Sequence, residues 1–190
     1  MRFRWLGEAC VEIKGQHHLL IDPNYTVPPD PGIDLILVTH EHDDHFREEA
    51  KDLGAPLWAP RSAVETFDLE ATIVAPGRRD GEIEVVPSFC YGSEESVGYL
   101  IHGDARLLHL GDSFRSPQVT ADVLFVPIFA DYHNEILEAG ETCGAQRVYP
   151  IHYDPQEKPE LALQLVEKLE ARGIEAGTLS VGDWVEVSAS

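Results

Sequence analysis

Asp34-Leu-Ile-Leu-Val-Thr-His40-Glu-His42-Asp-Asp44-His45 begins as a near-continuous apolar run and ends in three histidines and an aspartate spaced H-x-H-x-D-H. The run from Ile33 to Thr39 reads as a strand covered on both faces. Phe46 to Leu53 reads as a helix stopped by Gly54, so the histidines fall in a strand-to-helix loop. Nitrogen and oxygen donors this close in sequence point to a divalent metal. A solvated His-rich loop is the poorer explanation, because only nine histidines are spread over 190 residues. If the segment is extended, His40 and His42 face the same side, while Asp44 and His45 past the bend face a neighbouring position. One loop then serves two metals, but four donors are too few for two ions. The remainder must come from distant strand ends.

Upstream of this loop, Arg2 to Leu6, Ala9 to Ile13 and His17 to Ile21 read as short strands, with Gly15-Gln16 as a turn. His17 and His18 read as exposed residues of that turn. Asp22-Pro23-Asn24 ends the third strand and opens a loop through Pro28, Pro29 and Pro31, long enough to form a site wall. Downstream, Leu57 to Ala59 reads as a strand. A helix around Ser62 to Phe67 follows, with Ser62 and Glu65 as a capping box. Thr72 to Val74 and Glu82 to Val86 continue the β pattern.

The second half restarts in the same way, with strands at Val97 to Ile101, Arg106 to Leu110, Val123 to Val126 and Arg147 to Ile151. Helices are expected at Glu135 to Cys143 and Pro159 to Arg172, the latter marked by Leu161, Leu165 and Leu169 and stopped by Gly173. Leu179 and Trp184 to Val187 supply closing strands. Strands outnumber helices and helices occur in both halves, which gives a layered α/β domain over residues 1–190 with sheet packed on sheet.

Composition narrows the partners. With 14 Lys and Arg against 34 Asp and Glu, the net charge of -20 repels polyanions, so nucleic acid is not an expected partner. No run approaches the ~18 apolar residues of a membrane span. Met1-Arg-Phe-Arg-Trp-Leu-Gly lacks the features of a signal peptide. Cys10, Cys90 and Cys143 are odd in number and far apart, which favours a reducing, cytoplasmic setting over a disulfide framework. A small-molecule substrate is the expected partner, and the oligomeric state is left open.

Two later segments have the character of metal-site strand ends. Leu107-Leu-His-Leu-Gly111-Asp112 ends in a carboxylate able to bridge two cations, and Val148-Tyr-Pro-Ile-His152 ends in a histidine. Thr39-His40-x-His42-x-Asp44-His45, Leu110-Gly111-Asp112 and Pro150-x-His152-Tyr153, with Leu6-Gly7 and Leu20-Ile-Asp22-Pro23 upstream, resemble the metallo-β-lactamase superfamily. The resemblance is greatest to its branch of small, mostly uncharacterised metal-dependent hydrolases that includes the ascorbate phosphate lactonase. It covers nearly the whole chain and implies a four-layer αββα sandwich with metals at one edge between two sheets.

Carried over residue by residue, the resemblance implies His40 and His42 at the first metal, Asp44, His45 and His152 at the second, and Asp112 between them. The family's usual further histidine is replaced by Val85-Val-Pro-Ser-Phe-Cys90-Tyr91, where Cys90 is nearest the expected ligand. Two readings of Cys90 stand: a thiolate ligand favouring zinc, or a small buried hydrophobe. His133 is a candidate substitute ligand or substrate-facing group, whereas His102 and His109 lie within strands and read as structural.

The implied cofactor is one or two zinc ions, with manganese or iron as alternatives. The expected chemistry is hydrolysis of a small ester, lactone or phosphodiester by a metal-held hydroxide, with Asp44 orienting it or taking its proton. A metal- or ligand-binding protein with weak or lost catalysis is the second reading, prompted by Cys90. Redox chemistry at a di-iron site is the third, and no flavin-binding domain is present to feed it.

Overall fold

The computed structural model describes residues 1–188 of the chain, so the last two residues of the expected domain lie outside the described residues. Strands β1 (Arg2–Gly7), β2 (Cys10–Lys14), β3 (His18–Ile21), β4 (Leu35–Leu37), β5 (Leu57–Ala59) and β6 (Thr72–Ile73) lie in chain order in one sheet. The second sheet holds β7 (Arg79–Asp80), β8 (Ile83–Pro87), β9 (Val97–Ile101), β10 (Leu107–His109), β11 (Val123–Pro127), β12 (Arg147–Ile151) and β13 (Glu175–Ala176), again in chain order. β14 (Val185–Glu186) returns to the first sheet beside β1.

Each sheet starts antiparallel and turns parallel, at the β3–β4 pair in the first and the β10–β11 pair in the second. Among the parallel strands, β4 and β11 are apolar, as expected of strands covered on both faces. Leu124, Phe125 and Val126 are buried at the centre of the second sheet, and Ile36 and Leu37 at the centre of the first.

Between the sheets, Phe3, Trp5, Ile13, Leu19 and Leu37 pack against residues such as Tyr99, Leu107 and Phe125 in one core. A second cluster fills the outer face of the first sheet. There Leu20, Ile36 and Val38 meet Phe46, Ala50 and Ala63 under helix α1 (Arg61–Phe67). On the opposite side, α2 (His133–Cys143) and α3 (Pro159–Glu170) bury Ile136, Leu137, Leu165 and Leu169. The architecture is therefore the expected αββα sandwich.

Local departures have local causes. The helix expected from Phe46 is a 3-10 helix confined to Glu48–Leu53, because Arg47 stays extended and Phe46 turns in to stack on Phe67 at 5.0 Å. The capping box at Ser62 does not form. Pro60 occupies the N-cap position, and the Ser62 hydroxyl instead donates to the Glu41 carboxylate at 2.8 Å. Leu179 is buried outside any strand, while β13 adds a pairing earlier, at Glu175 and Ala176. The Pro-rich loop is tied back to the first sheet at Asp30, which pairs with Arg4 and Lys14, while Asn24 at its start donates to the Asp44 carbonyl beside the site.

Phe125 meets Phe3 edge-on at 4.9 Å in the middle of the core. Phe125→Ala should lower the unfolding free energy by ~3–5 kcal/mol in urea titration. Leu163→Ala, on the half-exposed face of α3, should stay within ~0.5 kcal/mol.

Candidate metal centre

β4 points its C-terminal end at the edge between the sheets, and the loop after it carries the first donors. His40 and His45 are completely buried. The His40 ring lies 4.6 Å from that of His42 and 4.0 Å from that of His45. From the second sheet, Asp112 follows β10 through Gly111, and His152 follows β12. Gly111 adopts φ +59, and a Cβ there would stand 2.6 Å from Thr39 Oγ1. The site can close this tightly only because Gly111 lacks a side chain.

Two donor groups result, the ligand atoms of each lying within 4.8 Å of one another: His40, His42, Cys90 and Asp112 in one, Asp44, His45 and His152 in the other. Asp112 stands between them. Its Oδ1 is 3.0 Å from His45 Nε2 and 3.1 Å from His152 Nε2, while Oδ2 faces His40 Nε2 and Cys90 Sγ, each at 3.8 Å. Asp44 Oδ2 adds a contact of 3.2 Å to His152 Nε2.

Despite these approaches, His40 Nε2, His45 Nε2, His152 Nε2 and Asp112 Oδ1 are buried without an aligned hydrogen bond. The atoms converge on a shared space rather than on each other. Leaving such a group unsatisfied costs ~1–3 kcal/mol. Divalent cations in the two donor groups would satisfy all four, and imidazole, carboxylate and thiol form a donor set suited to zinc. The residues fit a metal.

Surrounding groups fix the histidine tautomers. Asp22 is fully buried, and its carboxylate accepts from the Thr39 amide, the Thr39 hydroxyl and His45 Nδ1, each at 2.8 Å. Thr39 Oγ1, having given its proton to Asp22, accepts from His40 Nδ1 at 3.0 Å. Both histidines therefore present a bare Nε2 to the metal position when neutral. His152 is held by its own backbone, whose amide donates to the Glu8 carbonyl at 2.7 Å. Glu8, Asp22 and His152 all have positive φ, at +46°, +48° and +62°. Backbone strain is thus concentrated beside the donors.

Glu41 lies between the first two histidines and faces away from the metal position. Its carboxylate accepts from the Ser62 and Ser93 hydroxyls at 2.8 Å and from the Glu94 amide. It thereby holds the loop that brings Cys90 Sγ to 3.6 Å from His42 Nδ1.

The structure gathers His40, His42, Asp44, His45, Cys90, Asp112 and His152 at one edge. His133 sits elsewhere, buried at the start of α2, where Lys168 Nζ donates to its Nδ1 at 2.8 Å. It lines neither cavity beside the donors. His109 is structural: its Nε2 donates to the Ala9 carbonyl and its Nδ1 accepts from Gly111. His102 pairs with Glu84, and His17 and His18 with Glu82 and Glu12, so the turn histidines are anchored rather than free. Asp22 read as a strand stop and Glu41 as a spacer. The only sequence signal for Asp22 was its place in Leu20-Ile-Asp22-Pro23, and Glu41 had none.

A model of the beta-lactamase superfamily domain matches residues 2–152 of this chain. The chain belongs to the metallo-β-lactamase superfamily. A UPF0173 protein of Pyrococcus furiosus is 35% identical, over 85% of this chain and 90% of its own. A protein of Methanoregula boonei named UPF0173 metal-dependent hydrolase is 29% identical, over 83% and 84%. Among solved structures, Igni18, described as a metallo hydrolase from Ignicoccus hospitalis, superposes with a TM-score of 0.76 at 18% identity, covering 97% of both chains. The metallo-β-lactamase fold protein YhfI of Bacillus subtilis gives 0.72 at 14% identity, over 97% of this chain and 98% of its own. Both likenesses concern the fold.

Protonation without metal follows from these contacts. Burial opposes charge on His45, but the Asp22 and Asp112 carboxylates outweigh it and raise the pKa to about 10. Burial, with the His45 charge, lowers His40 to about 4. Burial pushes Cys90 up to about 12, helped by Asp112 and Glu41. Burial works against the Asp112 charge too, yet His45, His152 and His40 hold it below the carboxylate range.

His45 stabilises the folded state fully below its ordinary value of 6.5, and that contribution is lost as pH rises through about 10. His40 has the opposite sign and gains stability up to 6.5. The metal-free protein should therefore be most stable near pH 6.5 and melt progressively lower towards pH 10, as measured by thermal unfolding in EDTA. Because a metal displaces these protons, zinc affinity should rise with pH over the same interval. Asp22→Asn should weaken zinc binding by ~10–100-fold in chelator competition.

Proposed function

We propose that the chain is a metal-dependent hydrolase acting on a small ester, lactone or phosphodiester. The observation that carries this reading is the convergence of seven donors from both sheets on a space where four buried polar atoms lack aligned partners. His40, His42, Cys90 and Asp112 Oδ2 would hold one ion, and Asp44, His45, His152 and Asp112 Oδ1 the other. The Cys90 thiolate favours zinc over manganese or iron at the first position. Bound there, a divalent cation would supply Lewis-acid polarisation of the scissile bond and a water whose pKa falls from ~16 towards ~7.

The chain's own groups do the rest. Asp44 has a partly exposed carboxylate at the mouth of the site, and Asn24 Nδ2 holds its backbone by donating to its carbonyl at 3.0 Å. Asp44 Oδ1 and Oδ2 can orient the attacking water and take its proton. Phe129 packs edge-on to His152 at 5.5 Å and keeps water from that side of the ring. Thr39 and Asp22 fix the imidazoles, so their Nε2 atoms need no reorganisation during turnover.

Purified protein should contain about two equivalents of zinc and turn over generic esters or phosphodiesters, with chelation abolishing turnover. Asp112→Ala should lose metal and activity together. Unchanged zinc content in that variant would remove Asp112 from the bridging position. A zinc-loaded protein inactive on all these substrates would instead favour a binding role without catalysis.

A further inference from the structure

Two cavities open beside the donors, and Phe129 lines both. The larger, about 410 Å³, runs past Asp44 and His152 to Glu8, Asp154, Glu157 and Lys158. The smaller, about 220 Å³, lies against His42, Cys90 and Asp112, and its remaining walls are Tyr91, Phe114, Phe129 and Tyr132. Phe114 and Tyr132 stack nearly parallel, 4° apart in plane with centroids 4.1 Å apart. Tyr91 is 87% exposed and Tyr132 41% exposed, and with Phe89 they account for three of the five exposed large hydrophobics among the described residues. Solvent-facing aromatics gathered at the mouth of a polar centre mark a surface that gains by being covered.

Charge and size define what covers it. No described Lys or Arg lines the smaller cavity, and four of its walls are aromatic, so an apolar substituent is favoured there over an anionic one. The larger cavity holds Lys158 among Glu8, Asp44, Asp154 and Glu157, polar surroundings that leave the apolar seat to the smaller one. A volume below the ~300–1,000 Å³ of drug-sized sites suits a single ring or a short acyl chain. Aromatic walls favour a flat ring.

We infer that the substrate is a carboxylic ester or lactone bearing an aromatic or similarly flat apolar substituent, which Tyr91, Phe114, Phe129 and Tyr132 seat beside His42 and Cys90. The inference rests on the hydrolase reading and narrows its substrate. Hydrolysis consumes one water, breaks the acyl C–O bond and yields a carboxylate, an alcohol and a released proton. No oxidant or second substrate is required.

The test compares zinc-loaded protein on γ-phenyl-γ-butyrolactone and γ-butyrolactone by titrating released acid, with binding of phenylacetone, an uncharged ketone with no hydrolysable bond, followed by calorimetry. The phenyl lactone should be preferred by about tenfold or more in kcat/KM, mainly through KM. Phe114→Ala should reduce that preference several-fold and weaken phenylacetone binding to a similar extent. Tyr91→Ala, at an exposed position where folding is unaffected, should do the same to a smaller degree. Equal turnover of the two lactones, or phenylacetone binding unchanged in both variants, would overturn the inference while leaving the hydrolase reading intact. Absent turnover of every ester, lactone and phosphodiester, with phenylacetone binding lost in the variants, would overturn the hydrolase reading and leave the aromatic seat standing. Turnover of phosphodiesters alone would overturn the inference and keep the hydrolase reading.

Discussion

A fully buried Asp22 carboxylate sets the geometry on which the candidate metal centre depends. Burying a charge without partners costs far more than a domain can spare. Here three donors satisfy it, and His45 holds its pKa below the ordinary range although burial pushes the other way. The arrangement is directional. Asp22 orients His45 directly and His40 through the Thr39 hydroxyl, so one carboxylate just after β3 fixes two imidazoles on the loop after β4.

Half of the site belongs to the other sheet, and the two halves meet through hydrogen bonds that cross the sandwich edge. The Glu8 carbonyl accepts from both the Trp5 indole and the His152 amide. His109 reaches the Ala9 carbonyl, Tyr99 reaches Val38, and the Val97 amide reaches Thr39. Trp5 and Tyr153 stack at 4.8 Å across the same boundary. These contacts place Asp112 and His152 against the first loop before any metal arrives, so less ordering is left for binding to impose.

Legibility in the sequence followed the strength of each physical signal. The buried parallel strands and α3 were readable because their apolar patterns have one structural solution. His40, His42, Asp44 and His45 stand out as candidate donors because their clustering is chemically unusual. Boundaries decided by tertiary contacts were not. Arg47 stays extended because Phe46 turns inward, and Ser62 serves Glu41 rather than its own helix. Asp22 and Glu41 act only through partners distant in sequence, His45 for one and Ser93 with Glu94 for the other. Cys90 is instructive in another way: sequence left it between ligand and core residue, and the fold brings it to His42 and Asp112.

The central claim is that one carboxylate joins two metal positions built from both sheets. Anomalous diffraction at the zinc edge from zinc-soaked crystals tests it most directly. The account predicts two peaks flanking Asp112, one against His40, His42 and Cys90 and one against Asp44, His45 and His152, each at ~2.0–2.3 Å from its ligand atoms. A single peak without Asp112 in its shell, or zinc bound away from these residues, would contradict it.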